Sequence, residues 1–242
     1  MALEKFIKRY TSIAATIDIL RRKELPLLDP QNWDDRNDRH FMGLYKEFVK
    51  SPGLYAACFA QSGETYHHWR VFTAASDGAC VEFHRHAFEK HVKRNANIRA
   101  GAVFYLKLDD MDALTPADMP SLPFIKRIGF EPEEEYRIIA TTPEQQAGAI
   151  RLPIDLKLIN RIYFNPWIPD SVYDSVKEIL STIDGTKGIE ITKSRLIDNQ
   201  RWKRAGNKVA GKPVTKRVVL RLTTKIKPPA KKPSKMPAKL KK

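Results

Sequence analysis

The chain has 242 residues, 42% of them hydrophobic, and a formal net charge of +15. That length can bury a real core as one large domain or one domain with an appendage, and no apolar run approaches the roughly 20 residues of a membrane span. Residues 187–242 hold 19 Lys and Arg against two acids, a net of +17, so residues 1–186 stand near neutral at −2 and any attraction to polyanions belongs to the C-terminal appendage.

Met1 to Lys5 lack the apolar core of a signal peptide, which predicts a cytoplasmic protein with Cys58 and Cys80 as buried thiols and no disulfide. Leu3–Thr11 reads as a first strand and Ile13–Lys23 as a helix, with Ile13, Ile17 and Leu20 on one stripe and Thr11 or Ser12 as cap. The prolines of 25–30 keep that segment extended or turning. A polar loop dense in carboxylates, Asn32–Asp38, precedes a helix over Arg39–Val49. Gly53–Ala60 is nearly continuous apolar, which suits a strand covered on both faces. A short helix opening at Ser62 carries His67, His68, Trp69 and Phe72, and a turn at Ser76–Gly78 leads into a strand over Ala79–Phe83. Phe88–Val92 reads as helix, Ala102–Leu108 as strand, and 109–123 as an acidic excursion. Ile150–Ile154 and Leu158–Phe164 are further strands, and Asp170–Ile183 is a helix with Val172, Val176, Ile179 and Leu180 inward.

Strands and helices without strict βαβ alternation predict an α+β fold, a mixed and mostly antiparallel sheet flanked by helices. The expected organisation is a core domain over 1–186 and a basic extension over 187–224. That extension's two strands, 188–196 and 214–222, would form a hairpin-like arm. A Lys/Pro-rich tail over 225–242 has too little apolar content to order itself.

Phe130–Ile139 stands out, because four acids in five positions run into an apolar, aromatic strand. If the chain is extended from Glu133, then Glu133, Glu135 and Arg137 share one face, with neighbours roughly 6.5–7 Å apart. On an edge strand that face is simply solvated, and a Glu135–Arg137 pair there fixes register for about 0–1 kcal/mol. In a cleft the same carboxylates are costly and become a candidate site. The histidines at 67, 68, 84, 86 and 91 match no ligand spacing, so no metal is expected.

Several segments, taken in order, carry a resemblance. They are Arg9-Tyr10-Thr11-Ser12, Asn32–Asp38, His68-Trp69-Arg70-Val71-Phe72-Thr73-Ala74 with Asp77–Phe83, Phe124-Ile125-Lys126-Arg127, and Glu133-Glu134-Glu135-Tyr136-Arg137. Over residues 5–180 this order resembles a bacterial and phage family known as a domain of unknown function. Its pattern is an aromatic-basic first strand, an Asn-Asp-Pro-like loop, a Trp-x-x-Tyr-Ala helix and a Glu-x-Glu-x-Arg strand. The chain departs from it in having Phe72 for the Tyr and no Pro in the early loop. That resemblance implies a phage-defence or mobile-element setting, with an inhibitory or cassette partner protein.

The order of features is also similar to ADP-ribosyltransferases, in particular those that modify nucleic acid. The similarity implies NAD as cofactor, Glu135 as the catalytic carboxylate, Glu133 as the group that activates the acceptor, and Arg137 beside them. It also implies Arg9 on phosphate, with Tyr10 or Trp69 stacked on nicotinamide or adenine, whereas the residues of the short helix by themselves read Trp69 and Phe72 as a core-facing side of it. No Ser-Thr-Ser middle motif accompanies these residues. The competing expectation is a non-catalytic nucleic-acid-binding or protein-interaction module. In either reading residues 187–242 are expected to bind DNA or RNA through Arg201, Trp202, Lys203, Arg204, Lys208, Lys216 and Arg217, cations for phosphates and one ring for stacking, and in the first they deliver the enzyme to its nucleic acid.

Overall fold

Ser12 ends the first strand, β1 (Phe6–Ser12), and starts the first helix, α1 (Ile13–Arg22), by accepting the Ala15 amide on its hydroxyl. The computed structural model describes residues 5–73 and 76–211, so Ala74 of the sequence motif lies outside the described residues. The chain divides into two units, residues 1–199 and 200–242.

In the first unit, Lys23 turns the chain in a left-handed conformation into β2 (Glu24–Leu28). Helix α2 (Arg36–Phe48) starts three residues earlier than its apolar spacing suggests, because the Asp35 carboxylate accepts the amides of Asn37 and Asp38. Asp38 therefore belongs to a helical first turn and not to a loop. Strand β3 (Gly53–Ala60) follows, then α3 (Tyr66–Phe72), capped by Thr65 in place of Ser62. Next come β4 (Gly78–His84) and α4 (Arg85–Val92).

The single strand expected over 102–108 is two, β5 (Ile98–Ala102) and β6 (Phe104–Leu106). Val103 breaks it by donating its amide to the Glu135 carbonyl. The excursion holds a short helix, α5 (Leu108–Met111), and a run of 3-10 turns over Pro116–Phe124. Then come β7 (Ile125–Arg127), a 3-10 segment over Ile128–Glu133, β8 (Glu135–Thr142), β9 (Ala149–Pro153), β10 (Ile159–Phe164), α6 (Asp170–Ser181) and β11 (Glu190–Lys193).

Among the described residues nine strands form one sheet in the order β11-β10-β4-β1-β3-β2-β9, with β8 on β3 and β5 on β8. Its pairs are antiparallel except β10–β11, and β6–β7 form a separate parallel pair. The fold is α+β, a mostly antiparallel sheet flanked by helices. Strand β8 is interior, bonded to β3 along its whole length and to β5 on its other edge, so the solvated-edge reading of Glu135 and Arg137 does not hold.

Only the first strand of the expected hairpin-like arm lies within the described residues. The strand within 188–196 exists as β11, but β10 gives it an unpaired edge inside the large sheet and it pairs there in parallel. The expected partner, 214–222, lies outside the described residues, as does the Lys/Pro tail. The basic link of 201–208 is helical, within α7 (Gln200–Val209) of the second unit. No helix among the described residues is long and apolar enough to cross a membrane.

One face of the sheet buries a large apolar cluster that includes Ile7, Leu20, Phe59, Phe83, Phe88, Ile138 and Ile162. Each such side chain contributes about 1.5–3 kcal/mol relative to exposure. The other face carries two smaller clusters, one around Met42, Tyr45, Phe124 and Ile139, the other around Tyr10, Trp69, Cys80 and Tyr163. The sheet is also incomplete on one edge of β3. Since β8 fills the opposite edge, β1 and β2 must share this one, and each holds it at a single position, Lys8↔Ala60 and Leu28↔Ala56. Between those two points the sheet is split.

Candidate active site

A cleft of about 580 Å³ opens where β1 parts from β3, bounded by Lys8–Ser12, Cys58–Ala60, the Asn32–Asp35 turn, Phe72 and the Lys126–Glu135 segment. That volume lies within the range of about 300–1,000 Å³ typical of small-ligand sites. Arg9 spans the split, and its Nη1 donates to the Cys58 carbonyl at 2.9 Å, standing in for the strand–strand bond missing there. Burial pushes the Arg9 guanidinium down from its ordinary value, and the nearby Glu135 charge works against that shift. The structure thus brings Arg9 and Glu135, distant in sequence, to one cavity.

Glu135 owes its position to the turn before it. Expected as part of the strand, Glu133 instead ends a 3-10 segment, and Glu134 takes a left-handed conformation (φ 41°) before β8 begins. This turn replaces the pleat and still leaves Glu133 and Glu135 on the same cavity wall. The backbone of Glu135 is pinned as well. Its amide donates to the Tyr105 hydroxyl at 2.7 Å, and its carbonyl accepts from Gln61 Nε2 at 3.1 Å.

Arg137 clamps the side chain. Its Nε and Nη2 donate to the two Glu135 oxygens at 2.8 and 2.9 Å. Nη1 and Nη2 reach the two Asp38 oxygens at 3.2 and 2.9 Å, and Nη1 also reaches the Pro123 carbonyl at 2.7 Å. All five N–H groups of a guanidinium are then used, and Trp33 covers it at 4.9 Å. With 0% exposure and no donor to spare, Arg137 orients carboxylates and has none left for a ligand. Lys126 completes the network, its Nζ lying 2.6 Å from Glu133, 3.3 Å from Glu135 and 3.7 Å from Asp38.

The three carboxylates respond differently. Burial pushes Glu135 up, but the Arg137 charge and hydrogen bonds, with Lys126, overcome it and hold the carboxyl at about 2. For Glu133 burial wins over Lys126, and its carboxyl is raised. Asp38 is raised as well, by burial that Arg137 only partly offsets. The site therefore offers one carboxylate fixed in its ionised form and, beside it, one that accepts a proton more readily. This is a suitable pair for stabilising a developing cation and for taking a proton from an incoming nucleophile.

Of the other expected residues, Tyr10 lines the cleft, while Trp69 does not reach it. Trp69 is 1% exposed, its ring lies edge-on to Tyr10 and Tyr163, and its Nε1 donates to Glu64 at 2.6 Å, so a stacking role for it is corrected. Trp33, Phe59, Phe72 and Phe130 are the aromatic residues that line the cavity besides Tyr10. Asp38 and Lys126 were missed as site residues. The signals were present, Asp35 as an N-cap that carries Asp38 into a helix and Lys126 inside the Phe124–Arg127 motif, but only tertiary packing joins them to Glu135. Arg201, Trp202, Lys203, Arg204 and Lys208 are exposed on α7, with Trp202 at 81%, and Lys216 and Arg217 lie outside the described residues. Among the described residues no His, Cys, Asp and Glu group of three or more could hold a metal ion.

No family model and no curated protein matches this chain. Among solved structures it aligns with Thermus sp. 2.9 DarT in complex with NAD+ at 14% identity, over 79% of this chain and 96% of that one, with a TM-score of 0.42. The same protein in complex with ADP-ribosylated ssDNA aligns at 11% identity over 79% and 95%, with a TM-score of 0.43. Its complex with carba-NAD+ aligns at 12% over 81% and 98%, with a TM-score of 0.41. Likeness at this level assigns neither residues nor a substrate.

Proposed function

We propose that the cleft cleaves the nicotinamide–ribose bond of NAD and transfers ADP-ribose to an acceptor on nucleic acid. The observation that carries this reading is Glu135, an ionised carboxylate that is buried, clamped by Arg137 and Lys126, and set in one cleft with Arg9. NAD supplies a glycosidic bond whose neutral nicotinamide can leave while positive charge grows on the ribose. Glu135 stabilises that charge and accepts a hydrogen bond from a ribose hydroxyl. Because its partners are already fixed, no reorganisation is needed as the charge develops. Glu133 takes the proton that the acceptor loses as the new bond to the ribose carbon forms. Arg9 meets the diphosphate, and Tyr10, Phe72 and Phe130 offer ring faces to the bases and exclude water.

The test is incubation of the protein with labelled NAD and DNA or RNA. Transfer or NAD hydrolysis should fall by about 10²–10³ in Glu135→Gln, the size of loss that follows removal of one fixed electrostatic group. An equal absence of both in wild type and variant rejects the reaction.

A second reading, binding without chemistry, is favoured by α7, which has four cations, no acid and an exposed Trp202. Arg201, Arg204 and Lys208 follow the i, i+3, i+7 spacing of one helix face. In this reading nucleic acid is bound at residues 187–242 and NAD is left intact by the wild type.

A further inference from the structure

Lys8 is buried on the cleft wall, 6% exposed, and no part of the carboxylate network uses it. Each carboxylate that could neutralise it is engaged elsewhere. Its cross-strand neighbour Glu82 accepts from Asn160 at 2.7 Å and lies 3.0 Å from Arg161, while Glu133 and Glu135 are held by Lys126 and Arg137. Among the described residues the Lys8 ammonium has no carboxylate within ion-pair distance. An ammonium that faces the cleft without an ion pair adds little to stability, so stability gives no strong reason for a lysine here.

The register gives a reason connected with the cleft. Lys8 pairs with Ala60, and Ala60 pairs with Glu135, so cation, methyl and carboxylate lie in one row across β1, β3 and β8. Side chains directly opposite one another share a face, and two strand spacings put the ends of this row roughly 10 Å apart. The small Ala60 side chain leaves the floor between them open. A ligand with an anion at Lys8 thus has its neighbouring atoms over Ala60, toward Glu135.

We infer that Lys8 is a phosphate-binding residue of the cleft, a second cationic anchor beside Arg9 for the diphosphate of the nucleotide. This rests on the nucleotide reading above, but the phosphate chemistry can be tested without turnover. The full chain and its Lys8→Met and Lys8→Arg variants are titrated calorimetrically, at low salt, with ADP-ribose, inorganic pyrophosphate and nicotinamide riboside, and melted in parallel.

Lys8→Met should bind ADP-ribose and pyrophosphate at least about tenfold more weakly, as removal of a charged hydrogen bond predicts, and bind nicotinamide riboside as the wild type does. Lys8→Arg should recover most of the loss. The melting temperature of Lys8→Met should not fall below that of the wild type, since no ion pair is lost. Unchanged affinity for both phosphate ligands in Lys8→Met overturns the inference. So does a lower melting temperature with weakened nicotinamide riboside binding, which would make Lys8 structural. Wild-type binding of pyrophosphate but not ADP-ribose keeps the anion position and removes the nucleotide as its source. Intact NAD in the transfer assay rejects the reaction alone.

Discussion

At the scale of single residues, the two glutamates are held differently and should respond differently to pH. Glu135 lies at about 2 in the folded chain against an ordinary 4.5. A depressed carboxylate contributes stability in full above its unfolded value and loses it as pH falls toward the folded one. The shift corresponds to about 3 kcal/mol, present above about pH 4.5 and gone near pH 2. Glu135→Gln should therefore flatten the acid limb of stability in urea titrations between pH 5 and 2.5. Glu133 has the opposite sign. Its raised carboxyl costs stability while ionised and gains a proton as pH falls, so transfer should decline on the acid side with a midpoint above the usual carboxylate range. Glu133→Gln should remove that limb and lose transfer to the acceptor more than it loses NAD hydrolysis. Asp38→Asn removes one partner of the saturated Arg137. The expected cost is about 3–5 kcal/mol in denaturant unfolding, with activity falling as Glu135 loses its clamp.

Elements place these groups through small local decisions. Asp35 starts α2 early enough to bring Asp38 under Arg137, and the left-handed Glu134 turns a 3-10 segment into β8 with both acids on the cleft. Glutamate at φ 41° is strained in a way glycine is not. Glu134→Gly should keep activity and change stability by no more than about 1 kcal/mol, whereas the β-branched Glu134→Val should destabilise and disturb Glu133; thermal melts and transfer assays read both. Much at this scale was legible from sequence. The bounds of β3 were given by its apolar run, and β1, α1 and β4 by alternation, helical spacing and a hydroxyl cap. The Val103 break was not, because it is fixed by a hydrogen bond to distant Glu135, and the Glu133–Glu134 turn was not, because the 3-10 segment that Glu134 closes onto the Glu131 carbonyl ends on a left-handed residue that is not Gly.

For the whole molecule, charge is divided along the chain, with a near-neutral residues 1–186 and +17 over the last 56 residues. Binding to a random oligonucleotide should weaken steeply from low to moderate salt, with a slope that shrinks by about one for each phosphate no longer neutralised. The triple change Arg201→Glu, Arg204→Glu, Lys208→Glu should reduce affinity without altering NAD hydrolysis by the first unit, which filter binding and a hydrolysis assay would measure. The sequence by itself determined the α+β class, most element positions, the separation of charge and the concentration of charged groups at Glu133, Glu135 and Arg137, because local periodicity and composition follow from the residues in each segment. Only the tertiary structure decided that β8 is interior, that Asp38 and Lys126 complete the network, and that the sheet splits at Arg9. Each of those depends on which strand lies beside which, and pairing between distant segments is set by the burial of the whole sheet, where a window of neighbouring residues holds no information.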